Sequence, residues 1–155
     1  MNMKEICKAF TEKLDGIITD SFYDDEGDGF IELTVDNPDT SDKNIQIEID
    51  STYYGFSYCC YDEIHDYDGH EKETIEEMCS KIFSIVEKTS CLIKIETSDD
   101  VFYKLADLTS IDNNTLADLI TESTEAVMDG TVKIILWNAE IIKEFSFDGE
   151  EYVFF

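Results

Sequence analysis

Residues 44–60 read NIQIEIDSTYYGFSYCC. Ile45, Ile47 and Ile49 alternate strictly with Asn44, Gln46, Glu48 and Asp50, the two-residue period of a strand with one dry face and one wet face. Tyr54, Phe56, Tyr58 and Cys60 carry the same period into a second strand, placing Cys60 on the apolar side. Two such runs so close together predict antiparallel neighbours. Working outward, Ile31, Leu33 and Val35 alternate with Glu32 and Thr34, and DNPDTSD (36–42) is a turn. The first half of the chain is therefore a meander.

Helical spacing brackets it. Met3, Ile6, Cys7, Phe10, Leu14, Ile17 and Ile18 recur at the helix period, with Gly16 weakening the end. A second helix runs from about Glu73 with Ile75, Met78, Cys79, Ile82, Phe83 and Val86 on its stripe. Strands follow at Cys91–Ile95 and Val101–Leu105. Asn113 or Asn114 caps a third helix carrying Leu116, Leu119, Ile120 and Val127. TVKIILW, EIIKEFSF and EYVFF close the chain as strands, with Asp148-Gly149 as a two-residue hairpin turn between the last two. The expected fold is α+β, a single domain over residues 1–155, with a largely antiparallel sheet and about three helices packed on one side.

Composition limits what such a fold does. The 155 residues are 43% hydrophobic and 12% aromatic, which suits a packed core rather than a disordered acidic chain. There are 37 acidic residues against 11 basic ones, a net charge of −26. All eleven bases are lysine. The charge argues against nucleic acid and against anionic membranes as partners, since both demand cationic side chains. Without arginine there are no bidentate forks for phosphate. A basic protein is the expected partner. The amphipathic N-terminus has no secretory pattern, and no apolar run reaches membrane-spanning length. Five cysteines, three of them on apolar faces, suit free thiols in a reducing cytoplasm.

Three stretches bear on chemistry. YCCYDEIHDYDGH (58–70) holds both histidines, His65 and His70. It lies between a strand and a helix and reads as a loop. Adjacent Cys59 and Cys60 chelate poorly, and no second ligand pair stands at zinc spacing. His65, His70 and Asp66 or Asp68 leave open a three-ligand site and, with it, a metal-dependent enzyme. In SFYDDEGDGF (21–30), Asp24, Glu26, Asp28 and Gly29 match positions of a calcium loop. Val35 stands where the closing glutamate belongs, and a strand follows where a helix should. No glycine-rich phosphate loop, G-x-S-x-G or H-E-x-x-H occurs. No cofactor, metal or catalytic residue is expected from these patterns.

A docking surface fits the composition better. Residues 58–77 carry eight carboxylates and one lysine around Tyr58, Tyr61 and Tyr67, and residues 20–28 carry five carboxylates and no lysine. Aromatics anchor an interface while acids steer a cationic partner. The candidate partner-binding residues are Asp62, Glu63, Asp66, Asp68, Tyr61 and Tyr67, with Asp24, Asp25, Glu26 and Tyr23 from the earlier segment.

In size, acidity and helix–strand order, and in YDEIHDYDGHEKETIEEM (61–78), the chain resembles the immunity proteins of bacterial polymorphic-toxin and contact-dependent inhibition systems. That resemblance implies a small cytoplasmic, non-catalytic α+β protein that neutralises a basic toxin domain such as a nuclease. The alternative is an acidic nucleic-acid mimic or anti-defence protein.

Overall fold

The computed structural model describes residues 1–123 and 129–155. The chain forms two compact units, Met1–Ser84 and Ile85–Phe155. Among the described residues they contain three α-helices and two antiparallel sheets of five strands each, an α+β fold. The expectation had one sheet; the strands divide between two.

The first unit opens with α1 (Met3–Lys13). Asn2 and Glu5 form a reciprocal capping box: the Asn2 side chain accepts from Glu5 N–H, and the Glu5 carboxylate accepts from Asn2 N–H at 2.7 Å. Five strands follow: β1 (Asp20–Asp24), β2 (Phe30–Val35), β3 (Ile45–Ile49), β4 (Tyr53–Tyr58) and β5 (Tyr61–Asp66). They pair in chain order as a simple meander. Register follows the pattern already read, with Leu33 opposite Ile47 and Ile47 opposite Phe56. Ile45, Ile47 and Ile49 are fully buried on the inner face, each contributing about 1.5–3 kcal/mol. A one-residue slip would turn all three to water. α1 rests against β3, burying Ile6, Phe10 and Leu14. α2 (Glu71–Val86) buries Ile75, Met78 and Ile82, and starts two residues earlier than its apolar stripe suggested.

The second unit carries β6 (Ser90–Glu96), β7 (Val101–Asp107), α3 (Asn113–Ser123), β8 (Asp129–Leu136), β9 (Ala139–Phe147) and β10 (Tyr152–Phe154), with sheet order β10-β9-β8-β6-β7. Its core joins Cys91, Ile93 and Ile95 to Val132, Ile134 and Phe145, under Leu116, Leu119 and Ile120 of α3. The cap of α3 is Asp112, whose carboxylate accepts from Thr115 N–H at 2.8 Å, rather than Asn113 or Asn114. Val127 lies outside the described residues. The β9–β10 hairpin is present, but its loop spans four residues: Asp148 accepts from both Glu150 and Glu151 N–H, so its side chain closes a wider turn than Asp-Gly alone implies. Among the described residues, no helix is long and apolar enough to cross a membrane.

Candidate partner-binding surface

Residues 58–66 of the segment read as a loop belong to a strand hairpin, and only 67–70 form a connection, leading into α2. Tyr58 pairs with Tyr61 across the two-residue turn Cys59-Cys60. Cys59 takes a positive φ of 53°, where glycine is the usual occupant. The turn lifts Cys60 off the apolar face and exposes it. β5 then alternates. Tyr61, Glu63 and His65 turn inward and are half-buried; Asp62, Ile64 and Asp66 turn out. The period was present in the sequence, but a glutamate and a histidine occupy inward positions and an isoleucine an outward one.

Glu63 is thus an internal group. Its carboxylate accepts from Lys81 Nζ of α2 at 2.6 Å and from the Tyr61 hydroxyl at 3.1 Å, and meets His65 Nε2 at 3.1 Å. Burial by itself would push this carboxyl up; the Lys81 ammonium, with His65 and Tyr61, outweighs it and holds the group below its ordinary range. Burial and the neighbouring Glu63 charge push the Tyr61 hydroxyl up to about 12. The Tyr67 hydroxyl donates to the Asp50 carbonyl at 2.7 Å. Asp68, exposed, accepts from His70 N–H at 2.8 Å ahead of α2. Among the described residues, no group of three or more His, Cys, Asp or Glu side chains is placed to hold a metal ion.

The acidic segment 20–28 is likewise a strand where a loop was expected. β1 occupies Asp20–Asp24, and only residues 25–29 form the hairpin loop. Asp24 accepts from Glu26 N–H at 2.9 Å, which closes that turn. Tyr23 points to the helix side, its hydroxyl 3.7 Å from Cys7 Sγ. Asp25 and Glu26 are exposed at the tip. Between α1 and this hairpin lies a cleft of about 710 Å³ floored by Met3, Cys7, Tyr23 and Ile31.

Register brings the two acidic segments onto one surface. Directly paired residues of antiparallel strands share a face. One row across the sheet is Phe22, Glu32, Glu48, Gly55, Ile64; the next is Asp20, Thr34, Gln46, Ser57, Asp62. Asp24 with Phe30, and Tyr53 with Asp66, extend a third. This outer face carries six carboxylates and no lysine. Asp20 and Asp24 line one edge and Asp62 and Asp66 the other, four strand spacings or about 19 Å apart. Phe22 is 57% exposed and Ile64 62%. Gly55 leaves a notch of about 50 Å³ at the centre; a Cβ there would collide with the Glu63 carbonyl oxygen, so glycine is what lets β5 approach.

Sequence reading found both edges of this face and missed its middle. Glu32 and Glu48 stood in plain view as the wet positions of alternating strands, and only the pairing shows that they oppose each other. Tyr61 and Glu63, by contrast, belong to the inner side. Comparison of the chain with protein families, with known proteins and with solved structures finds no match.

Proposed function

We propose that this protein is a non-catalytic inhibitor of the immunity type, which binds a basic protein domain and occludes the surface that domain uses for its own substrate. One observation carries the reading. The outer face of the first sheet gathers six carboxylates without a lysine around exposed apolar side chains, Phe22 and Ile64, on rigid strands. Acids of this kind steer a cationic partner, and the exposed apolar groups flanked by them on the two edge strands supply desolvated contact once it lands. Because strands rather than loops hold the side chains, little ordering entropy is lost on association. A toxin domain that binds nucleic acid presents the matching cationic surface.

The test is co-expression with the product of the adjacent gene, followed by stopped-flow association at several ionic strengths. Electrostatic steering contributes about 10–10³ to such rates. The Asp62→Lys/Asp66→Lys variant should associate about tenfold more slowly, with a shallower salt dependence and an unchanged melting temperature within a few degrees. Equal rates and salt slopes for wild type and variant would remove this face from the interface. Failure of the neighbouring product to bind at all would remove the immunity reading.

A further inference from the structure

The two edges of the first sheet are not alike. β5 is guarded in the way natural edges are: it turns a charged Glu63 inward, and Lys81 ties that residue to α2. β1 has neither the inward charge nor the tie to a helix lysine. It contains no lysine and no proline, its inward positions are Ser21 and Tyr23, and all five of its residues are exposed. The Ser21 N–H is met by the carboxylate of its own neighbour Asp20 at 2.8 Å, so it points away from β2. Strand alternation puts the Tyr23 main chain on the same side. The edge thus turns main-chain groups outward, the Ser21 N–H held by the Asp20 carboxylate, which an added strand would displace, with Tyr23 beside the α1 cleft and Phe22 on the acidic outer face, each 57% exposed.

We propose that β1 is a docking edge, and that an extended cationic segment of the basic partner adds to it as a sixth strand. The inference rests on the functional reading above and specifies how the partner engages. Strand geometry sends alternate side chains of the added segment to opposite sides. One set falls over the lysine-free acidic face, where cations are matched; the other falls towards the apolar floor of the α1 cleft. Main-chain bonds supply affinity and the two faces supply selectivity, the general logic of strand addition. Charge selects this occupant over a second copy of the chain. Two molecules at −26 each would have to bring Asp20 and Asp24 of one edge against those of the other.

The probe is a fluorescein-labelled peptide of alternating lysine and valine, measured by anisotropy against the full-length protein. A second peptide carries N-methyl groups on alternate residues, which removes ladder donors and keeps every charge. Wild type should bind the plain peptide at least tenfold more tightly than the methylated one. Ser21→Pro removes an outward N–H without touching the β1–β2 ladder, and should weaken the plain peptide by a similar factor, while Ser21→Ala should not. If Ser21→Pro fails to fold, the two peptides on wild type still decide the matter. Equal binding of both peptides would overturn strand addition and leave the acidic-face reading standing. Binding of neither would overturn both. A dimer of the protein alone in sedimentation, dissolved by Ser21→Pro, would assign the edge to a second copy and overturn the proposal.

Discussion

Glu32 and Glu48 sit directly opposite each other at the centre of the outer face, and the variant Glu48→Gln separates stability from function. Side chains of such a pair have Cβ atoms about 4.5–5.5 Å apart. Taking about 6 Å between carboxylates, Coulomb repulsion in a water-like dielectric is about 0.7 kcal/mol. A Debye length of about 8 Å at physiological salt leaves roughly half, about 0.3 kcal/mol. Glutamine keeps the shape and removes the repulsion, so the variant should be more stable by about 0.3–0.7 kcal/mol. For a chain of this size that raises the melting temperature by about 1–2 °C. The gain should shrink towards nothing near 1 M salt, where the Debye length is about 3 Å. Binding should move the other way. If six carboxylates share a steering factor of about 10–10³, each is worth roughly 1.5- to 3-fold in association rate. Calorimetric melts and stopped-flow rates, each at low and high salt, read the two effects. A destabilised variant, or a stabilised one with an unchanged association rate, would show that these glutamates are not held in place for a cation.

Two further expectations concern the interior. Lys81→Met strips Glu63 of its main partner. The pair is neither surface nor fully buried, with side chains 39% and 13% exposed, so the loss should fall between those limits, about 1–2 kcal/mol at neutral pH. Because Glu63 titrates below its ordinary range when folded, the stability it contributes is full above about pH 4.3 and is lost as pH falls through the folded value. The melting temperatures of wild type and variant should therefore converge on going from pH 7 to pH 3; a constant gap would mean that Lys81 acts through packing alone. Among the thiols, Cys60 is exposed and Cys59 half-buried, whereas Cys7, Cys79 and Cys91 are buried, and burial pushes Cys79 and Cys91 up to about 11. An aromatic disulfide reagent should modify Cys60 first and Cys59 next, reach Cys7 only through the α1 cleft, and reach Cys79 and Cys91 only on unfolding. Rapid reaction of all five in the native protein would contradict that burial.

In the first sheet, legibility in the sequence tracked the position of each strand. β3 and β4 are interior, so their inward residues had to be apolar, and Ile45, Ile47, Ile49, Tyr54, Phe56 and Tyr58 announced them. β1 and β5 are edges. An edge strand is covered less completely, and it tolerates Ser21 or Glu63 on its inner side, so the apolar signal of the period vanished while the period itself persisted. Those were the segments read as loops. The division into two sheets was invisible for a different reason. Local periodicity reports that a strand exists and which way its side chains point, but not which strand lies beside it. The β9–β10 turn failed similarly: Asp148-Gly149 marked the reversal, while the bonds from Asp148 to Glu150 and Glu151 N–H set its length.

The acidic residues of the chain differ in what they do. Many carboxylates have internal duties. Asp50, Asp107, Asp112 and Asp148 accept backbone N–H bonds that close turns or cap a helix, and those bonds hold each of the four below its ordinary range. Glu12, Glu63, Glu76, Glu96, Glu122 and Glu140 pair with Lys8, Lys81, Lys13, Lys94, Lys104 and Lys133. More than half of the eleven lysines are thereby engaged inside the chain. Solubility and local structure account for acids of this sort without any partner. They do not account for Glu32, Glu48, Asp62 and Asp66. Among the described residues, none of these four pairs with a lysine or accepts a backbone N–H, and two of them face each other across adjacent strands at a cost in stability. The Tyr53 hydroxyl that meets Glu48 is neutral, so no cation among the described residues offsets the charge of these four acids. That asymmetry, rather than the total of −26, is what the proposal of a basic partner at the outer face rests on.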